Sequence, residues 1–391
     1  MPNNRSNFSA RSLARRDLLI LPLLSLLTIV FMLVSCELVS RYFFVEGGRD
    51  VCIVADAKIG FAFRPGCTSR IKAPEGPWVT NQYNDCGYRT LESCGPKPPN
   101  STRIALIGSS VAQGWHVDYE QTFAERTAKE LSHRCARPVQ VQNLGRELCS
   151  FACMYHRVDE ALALKPNLLL IAISPFDIEI TSASDVQNRN KPIPPLGSNK
   201  TQAETQQSHV FIKQTQRLLT ESRTMLAAEH FLFQDPSTFL KLWLINKDKA
   251  DFLRPPFSQK WEQRLGYVDL ILGEIAVKAR AANVPVVLVE VPNLAQAAIL
   301  ASPDPPHDVS ADALNQRLQQ ISERHGIRFV DVLDQFRRTA QFSRIYYVVD
   351  GHLNGEGNVL ISRPTVDSVT QGPDPILPGC SRGSQKLEAS R

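Results

Sequence analysis

The 391-residue sequence has little of what marks several large classes of protein. Only one long run lacks charge, which excludes a polytopic membrane protein. Net charge is only +5, and the four arginines and one aspartate before Leu18 supply +3 of it, leaving +2 for the rest. That balance excludes a nucleic-acid partner. Neither G-x-G-x-x-G nor the Gly-Lys-Ser/Thr ending of a phosphate-binding loop occurs. With 43% hydrophobic and 21% charged residues, the composition is nevertheless that of a folded protein with a core.

The one long uncharged run extends from Leu18 to Cys36. As a helix it would be about 28 Å long, close to the hydrocarbon thickness of a bilayer. Its N-terminal flank is rich in arginine, whereas the residues after it are nearly balanced in charge. The positive-inside rule therefore predicts a cytoplasmic segment 1–17, a transmembrane anchor 18–36 in the inner (cytoplasmic) membrane, and a periplasmic remainder.

Other processing patterns compete with an uncleaved anchor. Leu33-Val34-Ser35-Cys36 resembles a bacterial lipoprotein box, which would make Cys36 a lipidated N-terminus. Arg15-Arg16 also loosely resembles a twin-arginine export signal. An ordinary small-x-small cleavage site is not evident. We take the anchor as the main expectation, with the lipoprotein as the alternative.

Cysteine usage also favours export, because disulfides persist outside the reducing cytosol. Apart from Cys36, eight cysteines remain, an even number. The spacing of Cys52 with Cys67 and of Cys86 with Cys94 is typical of small stapled loops. Cys135 is expected to pair with Cys149 or Cys153. Zinc held by Cys135, Cys149, Cys153 and His156 is a weaker alternative, because their spacing matches no common structural site.

Five short apolar runs alternate with helical patterns from residue 99 onward. Such alternation predicts an α/β fold, a three-layer α/β/α domain with a parallel central sheet, over residues 99–368. Residues 37–98 are predicted to form loops and short strands, and 369–391 a flexible C-terminal tail. The polar residues 186–206 are predicted to be an exposed insertion. The predicted strands are Arg103–Gly108, Val139–Leu144, Asn167–Ile173, Val284–Val291 and Ile327–Val332.

Two loops carry residue types suited to nucleophilic catalysis. The first strand ends in Gly108-Ser109-Ser110, where a serine hydroxyl is exposed at the carboxyl edge of the sheet. Taken alone, such serines more often cap a helix. Asp350 and His352 are two residues apart, so the carboxylate can orient the imidazole as a base. Taken alone, they more often belong to a solvated turn. Together, the two loops favour nucleophilic catalysis.

These motifs resemble the blocks of the SGNH/GDSL hydrolase superfamily. Arg103–Glu120 is similar to the first block, in which Gly-Asp-Ser follows a strand and a glycine comes four residues later. In that register Ser110 is the nucleophile and Gly114 the later glycine. Asp350–Gly357 resembles the last block, which supplies the acid and the base. The second and third blocks match, in order, Asn143-Leu144-Gly145 and Lys165-Pro166-Asn167.

The residues before these blocks resemble membrane-anchored bacterial members of the superfamily. With them, the resemblance covers roughly residues 18–362 and implies an anchored hydrolase. The matching pieces are Glu37-Leu38-x-x-Arg41, Gly60-Phe61-x-x-Arg64-Pro65 and Asn84-x-x-Gly87-Tyr88-Arg89.

The resemblance implies an ester hydrolase that needs no metal or organic cofactor. Ser110 would attack the ester, His352 would carry the proton, and Asp350 would orient His352. Backbone N–H groups of Ser110 and of Gly145 or a neighbour would hold the oxyanion. An O-acetylated cell-envelope polysaccharide is the expected substrate class. The alternatives are an O-acyltransferase with the same triad, and a non-catalytic envelope-binding protein on a degraded hydrolase fold.

Three positions depart from the superfamily pattern. Ser109 stands where the family has Asp, Leu148 where the second-block glycine is expected, and Phe176 where a third-block Asn donates to the oxyanion. Losing one such donor costs about 10²–10³-fold in rate. The pattern therefore predicts a slow or specialised enzyme. His116 is interpreted as a packing or pocket-wall residue, and Trp243 as core.

Overall fold

The structure is a computed structural model and describes residues 17–193, 222–339 and 341–380. Ten strands lie in these residues. In chain order they are β1 (Gly47–Gly48), β2 (Ile53–Asp56), β3 (Gly60–Phe63), β4 (Thr68–Lys72), β5 (Trp78–Gln82), β6 (Thr102–Gly108), β7 (Val139–Asn143), β8 (Leu168–Ile173), β9 (Val286–Glu290) and β10 (Arg328–Val330).

Fourteen α-helices accompany the strands over the same described ranges, with short 3₁₀ turns between some of them. They are α1 (Asp17–Phe43), α2 (Ser110–Gln113), α3 (Phe123–Cys135), α4 (Phe151–Ala163), α5 (Pro175–Glu179), α6 (Ala183–Gln187), α7 (Arg223–Leu232), α8 (Pro236–Trp243), α9 (Lys247–Ala250), α10 (Gln259–Ala281), α11 (Leu294–Ala301), α12 (Ala313–His325), α13 (Leu333–Arg337) and α14 (Gly355–Thr370).

The central sheet contains the five predicted strands, all parallel, in the order β10-β9-β8-β6-β7. Every residue of β6, β7, β8 and β9 is buried, as expected for strands covered on both faces. The chain leaves β6 toward β7 on one side and reaches β8 on the other. This change of direction opens a crevice beyond the carboxyl ends of β6 and β8, where ligands bind in open parallel sheets.

Helices form the outer layers of the predicted three-layer fold. Helix α3 packs against α14, and α4 packs against α10. Trp261 of α10 is 1% exposed and belongs to the main core. The three-layer α/β/α prediction is confirmed.

The predicted loop-and-strand segment 37–98 begins inside α1, and after that helix it forms the small sheets β1-β4-β5 and β2-β3 rather than extending the central sheet. Two disulfides, Cys52–Cys67 and Cys86–Cys94, join the pairs expected from spacing. Arg89 connects this segment to the central-sheet domain. Its buried guanidinium donates to the carbonyl of Gln113 at the end of α2 and to those of Gly114 and Val117 just after it.

Helix α1 is longer than the predicted 18–36 segment. Within it, Leu19–Phe43 is the one stretch in the described part of the chain that is long and apolar enough to cross a membrane, with mean hydropathy 2.6. An apolar N-terminal helix of this kind suits an anchor or a signal sequence. Cys36 lies inside the helix with a free, exposed thiol.

Two predictions about cysteines are wrong. Cys135 pairs with Cys380, and Cys149 pairs with Cys153, because the fold brings the end of α3 beside the chain after α14. The zinc alternative fails for the same reason, since all three of its cysteines are in disulfides. The first part of the predicted tail is therefore covalently held. Residues 194–206 of the predicted insertion and 381–391 of the tail lie outside the described residues.

Candidate active site

Ser110 is the first residue of α2, directly beyond the carboxyl end of β6. Ser109 precedes it as the helix N-cap and is 1% exposed, whereas Ser110 is half-buried. The two adjacent serines therefore have different surroundings. Only Ser110 faces the crevice.

The loop before α14 brings an imidazole to this serine. His352 Nε2 lies 2.8 Å from Ser110 Oγ, and His352 Nδ1 lies 2.6 Å from Asp350 Oδ1. The loop is shaped by an antiparallel bridge between Tyr346 and Leu353 and by a hydrogen bond from Tyr347 N–H to the His352 carbonyl. The three residues predicted as a triad are thus in hydrogen-bond contact, the arrangement that activates a serine hydroxyl.

A second imidazole approaches the acid. His116 Nε2 lies 3.6 Å from Asp350 Oδ2, on the opposite carboxylate oxygen from His352. Burial acts to raise the pKa of Asp350, but the hydrogen bond from His352 and the nearby imidazole of His116 outweigh it and hold that pKa below its ordinary value. The sequence interpretation of His116 as a wall residue therefore misses its contact with the acid.

Ser109 contacts a buried carboxyl. Its hydroxyl donates to Asp177 Oδ2 at 2.9 Å, and the Ser174 N–H donates to the same oxygen at 2.7 Å. Burial raises the pKa of Asp177 to about 7, although both hydrogen bonds favour the ionised form. Ser109, at the position where the superfamily pattern has Asp, thus hydrogen-bonds instead to Asp177 of α5, the helix that follows β8.

Gly145 is not available as an oxyanion donor in this structure. Its N–H donates to Asn143 Oδ1 at 3.0 Å. A Cβ at this position would lie 2.5 Å from Gln113 N, so glycine is needed for close packing behind α2. The sequence named Gly145 or a neighbour as the second donor, and this contact favours a neighbour.

Leu148 is the neighbour whose backbone suits the role. It lines the same cavity as Ser110 and has φ 54°, in the left-handed region that favours glycine. Within the described residues, no carbonyl or side chain accepts a hydrogen bond from the N–H of Leu148 or of Ser110. Phe176, in contrast, contributes only an apolar ring, 47% exposed.

An apolar cavity of about 760 Å³ adjoins Ser110 and His352. Helices α7 and α8 and the segment joining them supply one wall, including Trp243, which packs against the main core, as expected, and also lines the cavity. The sequence has no signal for this wall, because α7 and α8 reach the site only through tertiary packing. The apolar lining comprises Val111, Trp115, Leu148, Phe176, Phe233, Phe239, Leu242, Trp243, Val291, Leu294, Val348, Val349 and Leu353.

One group of potential metal ligands occurs among the described residues, and it lies outside this cavity. It consists of Asp85, Cys86 and Cys94. Both of its cysteines form a disulfide with each other, so neither thiolate is free to bind a metal.

Residues 106–360 match the model of the GDSL-like Lipase/Acylhydrolase family. The chain belongs to this family. Among solved structures, an α/β hydrolase, LAE5, from the metagenome of Lake Arreo, Spain, is 13% identical, with TM-score 0.37, 68% of this chain and 93% of that chain covered. A point mutant of Axe2, an acetyl-xylooligosaccharide esterase from Geobacillus Stearmophilus, is 13% identical, with TM-score 0.38 and coverages of 69% and 95%. A lipase/acylhydrolase from Enterococcus faecalis is 13% identical, with TM-score 0.35 and coverages of 69% and 100%. No curated protein matches the chain.

The matched region of this GDSL-like acylhydrolase contains all five strands of the central sheet except the first residues of β6. It also contains Ser110, Asp350 and His352. Residues 17–105 lie outside the match, although Arg89 and the small sheets of this segment pack against the hydrolase domain. Membership of the family shows that the protein is an ester hydrolase. It says nothing about the role of the N-terminal segment, which has to be inferred from the contacts of that segment.

Proposed function

We propose that the protein is a serine esterase in which Ser110 is the nucleophile, His352 the general base and Asp350 the residue that orients His352. The continuous contact from Ser110 Oγ through the imidazole to Asp350 Oδ1 carries this proposal. Serine needs such a base, because its hydroxyl is a weak nucleophile at neutral pH.

The reaction would proceed through an acyl-enzyme. Ser110 Oγ attacks the ester carbonyl carbon while His352 Nε2 takes the hydroxyl proton, and the protonated imidazole then returns that proton to the leaving alcohol. Water repeats the sequence on the acyl-serine, releasing the acid and restoring Ser110. The N–H groups of Ser110 and Leu148 would stabilise the negative oxygen of each tetrahedral intermediate.

The proposal also includes a location. We propose that residues 1–17 are cytoplasmic, that helix α1 anchors the chain in the inner membrane, and that the hydrolase domain lies in the periplasm. The arginine-rich flank and the four disulfides support this orientation. Mass spectrometry of the mature N-terminus tests it, because a chain that begins at modified Cys36 would contradict the anchor.

Activity-based labelling tests the nucleophile. The full chain in detergent is treated with a fluorophosphonate probe, beside the variants Ser110→Ala and Ser109→Ala. We expect labelling to be lost in Ser110→Ala and retained in Ser109→Ala, because only Ser110 contacts His352. If well-folded wild-type protein is not labelled, the esterase proposal fails and a non-catalytic envelope-binding role becomes the better account.

The cavity beside Ser110 determines which acyl groups of a substrate can fit there. The location and the family favour an O-acetylated envelope polysaccharide as the substrate, whereas the large and mostly apolar cavity beside Ser110 favours a longer acyl group, which is the alternative that we propose. We expect kcat/KM to rise along 4-nitrophenyl esters from acetate to longer chains, by up to roughly fourfold per methylene, until the cavity is filled.

Trp243→Ala is the matched variant, because it removes a cavity wall but no triad residue. We expect it to reduce the rate with long esters more than with acetate. A wild-type preference for acetate would instead support the O-acetyl substrate. Product analysis with a sugar acceptor, free acid against acylated sugar, separates hydrolysis from acyl transfer.

A further inference from the structure

Glu75, from outside the family-matched region, contacts the backbone of the loop that carries Asp350 and His352. It lies in the turn between β4 and β5, and its side chain is only 3% exposed. Glu75 Oε2 accepts hydrogen bonds from the N–H groups of Val349 and Asp350, both at 2.9 Å. A buried carboxylate that receives two backbone donors forms strong, charge-assisted hydrogen bonds.

These two hydrogen bonds hold the backbone at Val349 and Asp350, which the hydrogen bonds within the loop do not hold. The loop's own bonds join Tyr347 N–H to the His352 carbonyl and Gly351 N–H to the Tyr347 carbonyl. They do not use the N–H groups of Val349 or Asp350. Because Asp350 is itself 30% exposed at its side chain, its position beside His352 depends on how its backbone is held.

A histidine holds Glu75 in turn. His230 Nδ1, on helix α7, lies 2.7 Å from Glu75 Oε1, the oxygen that does not face the loop. With Glu75 ionised, the imidazole N–H donates to it. Each carboxylate oxygen thus has its own partners, and the carboxylate plane is fixed from two sides.

We propose that Glu75 is a positioning residue for Asp350 and His352, and that His230 sets the orientation of Glu75. The inference rests on the proposed function, because positioning matters for activity only if Asp350 and His352 act in catalysis. It implies that the segment before residue 99 is part of the catalytic unit. The family-matched region alone would hold the acid and base less accurately.

Two variants of Glu75 separate geometry from charge. Glu75→Gln and Glu75→Ala both remove one negative charge, but only glutamine keeps an oxygen that can accept the two N–H groups. We expect Glu75→Ala to lower the fluorophosphonate labelling rate and kcat by about 10–100-fold, with KM little changed, because small displacements of catalytic groups cost rate rather than binding. Glu75→Gln is expected to lose less than about tenfold.

His230→Gln tests the second half of the proposal. It removes the imidazole contact while leaving Glu75 and the triad residues in place. We expect a kcat between those of wild type and Glu75→Ala. A His230→Gln protein with wild-type kcat would remove His230 from the proposal.

Asp269→Asn is the matched control for a lost carboxylate–histidine pair. Asp269 Oδ1 lies 2.7 Å from His325 Nε2, an equally short contact on α10 and α12, away from the active-site cavity. We expect this variant to keep the wild-type labelling rate at temperatures below its unfolding transition. Equal kcat losses in Glu75→Ala and Asp269→Asn would show that Glu75 acts on stability alone.

Hydrogen exchange makes the test independent of catalysis. In Glu75→Ala, the amides of Val349 and Asp350 are expected to exchange at least tenfold faster, while those of the central sheet are unchanged. If the wild type is not labelled but the exchange result holds, the proposed function fails and the contact itself is verified. Unchanged exchange at both amides, or equal kcat for Glu75→Gln and Glu75→Ala, would overturn the proposal.

Discussion

The carboxyl group of Asp177 lies fully buried beside Ser109, and its pKa is raised to about 7 by that burial. In the unfolded chain such a group has a pKa near 3.9. Between these values the folded state holds a proton that the unfolded state has lost. The contribution of Asp177 to the free energy of unfolding is therefore present below about pH 4 and is lost as the pH rises through about 7.

Asp177→Asn should remove this pH dependence. We expect the free energy of unfolding of the variant, relative to wild type, to increase by up to about 1.4 kcal/mol per pH unit between pH 4 and 7. Urea unfolding across this range measures it. Burial also raises the pKa of Glu290 to about 8, but Glu290 is present in both proteins and cancels in the difference. Parallel pH curves for the two proteins would contradict the assignment to Asp177.

Some residues of the candidate active site can be predicted from the sequence and others cannot. Ser110, Asp350 and His352 could be predicted, because each lies in a short motif whose chemistry is local. The proposed donor at Leu148 cannot be distinguished from Gly145 in the sequence, since the difference depends on which N–H is already bonded to Asn143. Glu75 has no motif, and only the folded chain shows that it meets the triad loop.

At the scale of secondary structure, the central sheet was predictable because its strands are continuous apolar runs. The observed β6 and β8 begin within one residue of the predicted segments. The sequence predicts helical patterns between the apolar runs, but nothing in it indicates that α7 and α8 lie beside the candidate active site. Their apolar residues pack against sheet loops far away in sequence, which periodicity does not reveal.

Helix α7 has its own N-cap, Ser222, and also receives a carboxylate from another helix at its first turn. Glu37 of α1 accepts the N–H groups of Arg223 and Thr224, at 3.1 and 3.0 Å, in the first turn of α7. Such N–H groups have no partner within their own helix, and a carboxylate there also faces the positive end of the helix dipole. The end of the apolar helix and the helix that carries His230 are therefore directly joined.

Glu37→Ala should destabilise α7 locally. We expect the opening free energy of amides in α7 to fall by about 1–2 kcal/mol, measured by hydrogen exchange. Glu46→Ala is the matched control, because Glu46 pairs with Arg223 of the same helix but is 61% exposed at its side chain. Exposed pairs of this kind contribute about 0–1 kcal/mol. Equal effects of the two substitutions would show that Glu37 does not act as a cap.

At the scale of the whole molecule, three regions of the chain converge on the proposed reaction centre. The end of a central strand positions the proposed nucleophile, the loop before α14 carries the proposed acid and base, and the N-terminal segment contacts that loop through Glu75. Arg89 of the same segment bonds to carbonyls of the loop that follows Ser110. Truncation at the edge of the family-matched region would therefore remove contacts on both sides of the proposed triad.

A disulfide between distant cysteines also links two parts of this domain. The Cys135–Cys380 disulfide spans 245 residues and connects α3 to the chain beyond α14, the helix that directly follows the triad loop. Cysteine spacing reveals only local pairs such as Cys86–Cys94, which is why this pairing was not predicted. A disulfide restricts the unfolded chain in proportion to the logarithm of the loop that it closes.

The four disulfides should therefore differ in their contribution to stability. Replacing Cys135 and Cys380 together by alanine is expected to lower the free energy of unfolding by about 5 kcal/mol, compared with about 2 kcal/mol for Cys149 and Cys153, whose bond spans 4 residues. Cys149, Cys153 and Cys380 are all buried, so both double substitutions lose packing in the core. The difference between the two proteins therefore reports mainly on loop closure. Urea unfolding of protein made in an oxidising compartment measures both values. Equal losses would mean that local packing, rather than closure of the long loop, accounts for the stability that the Cys135–Cys380 bond provides.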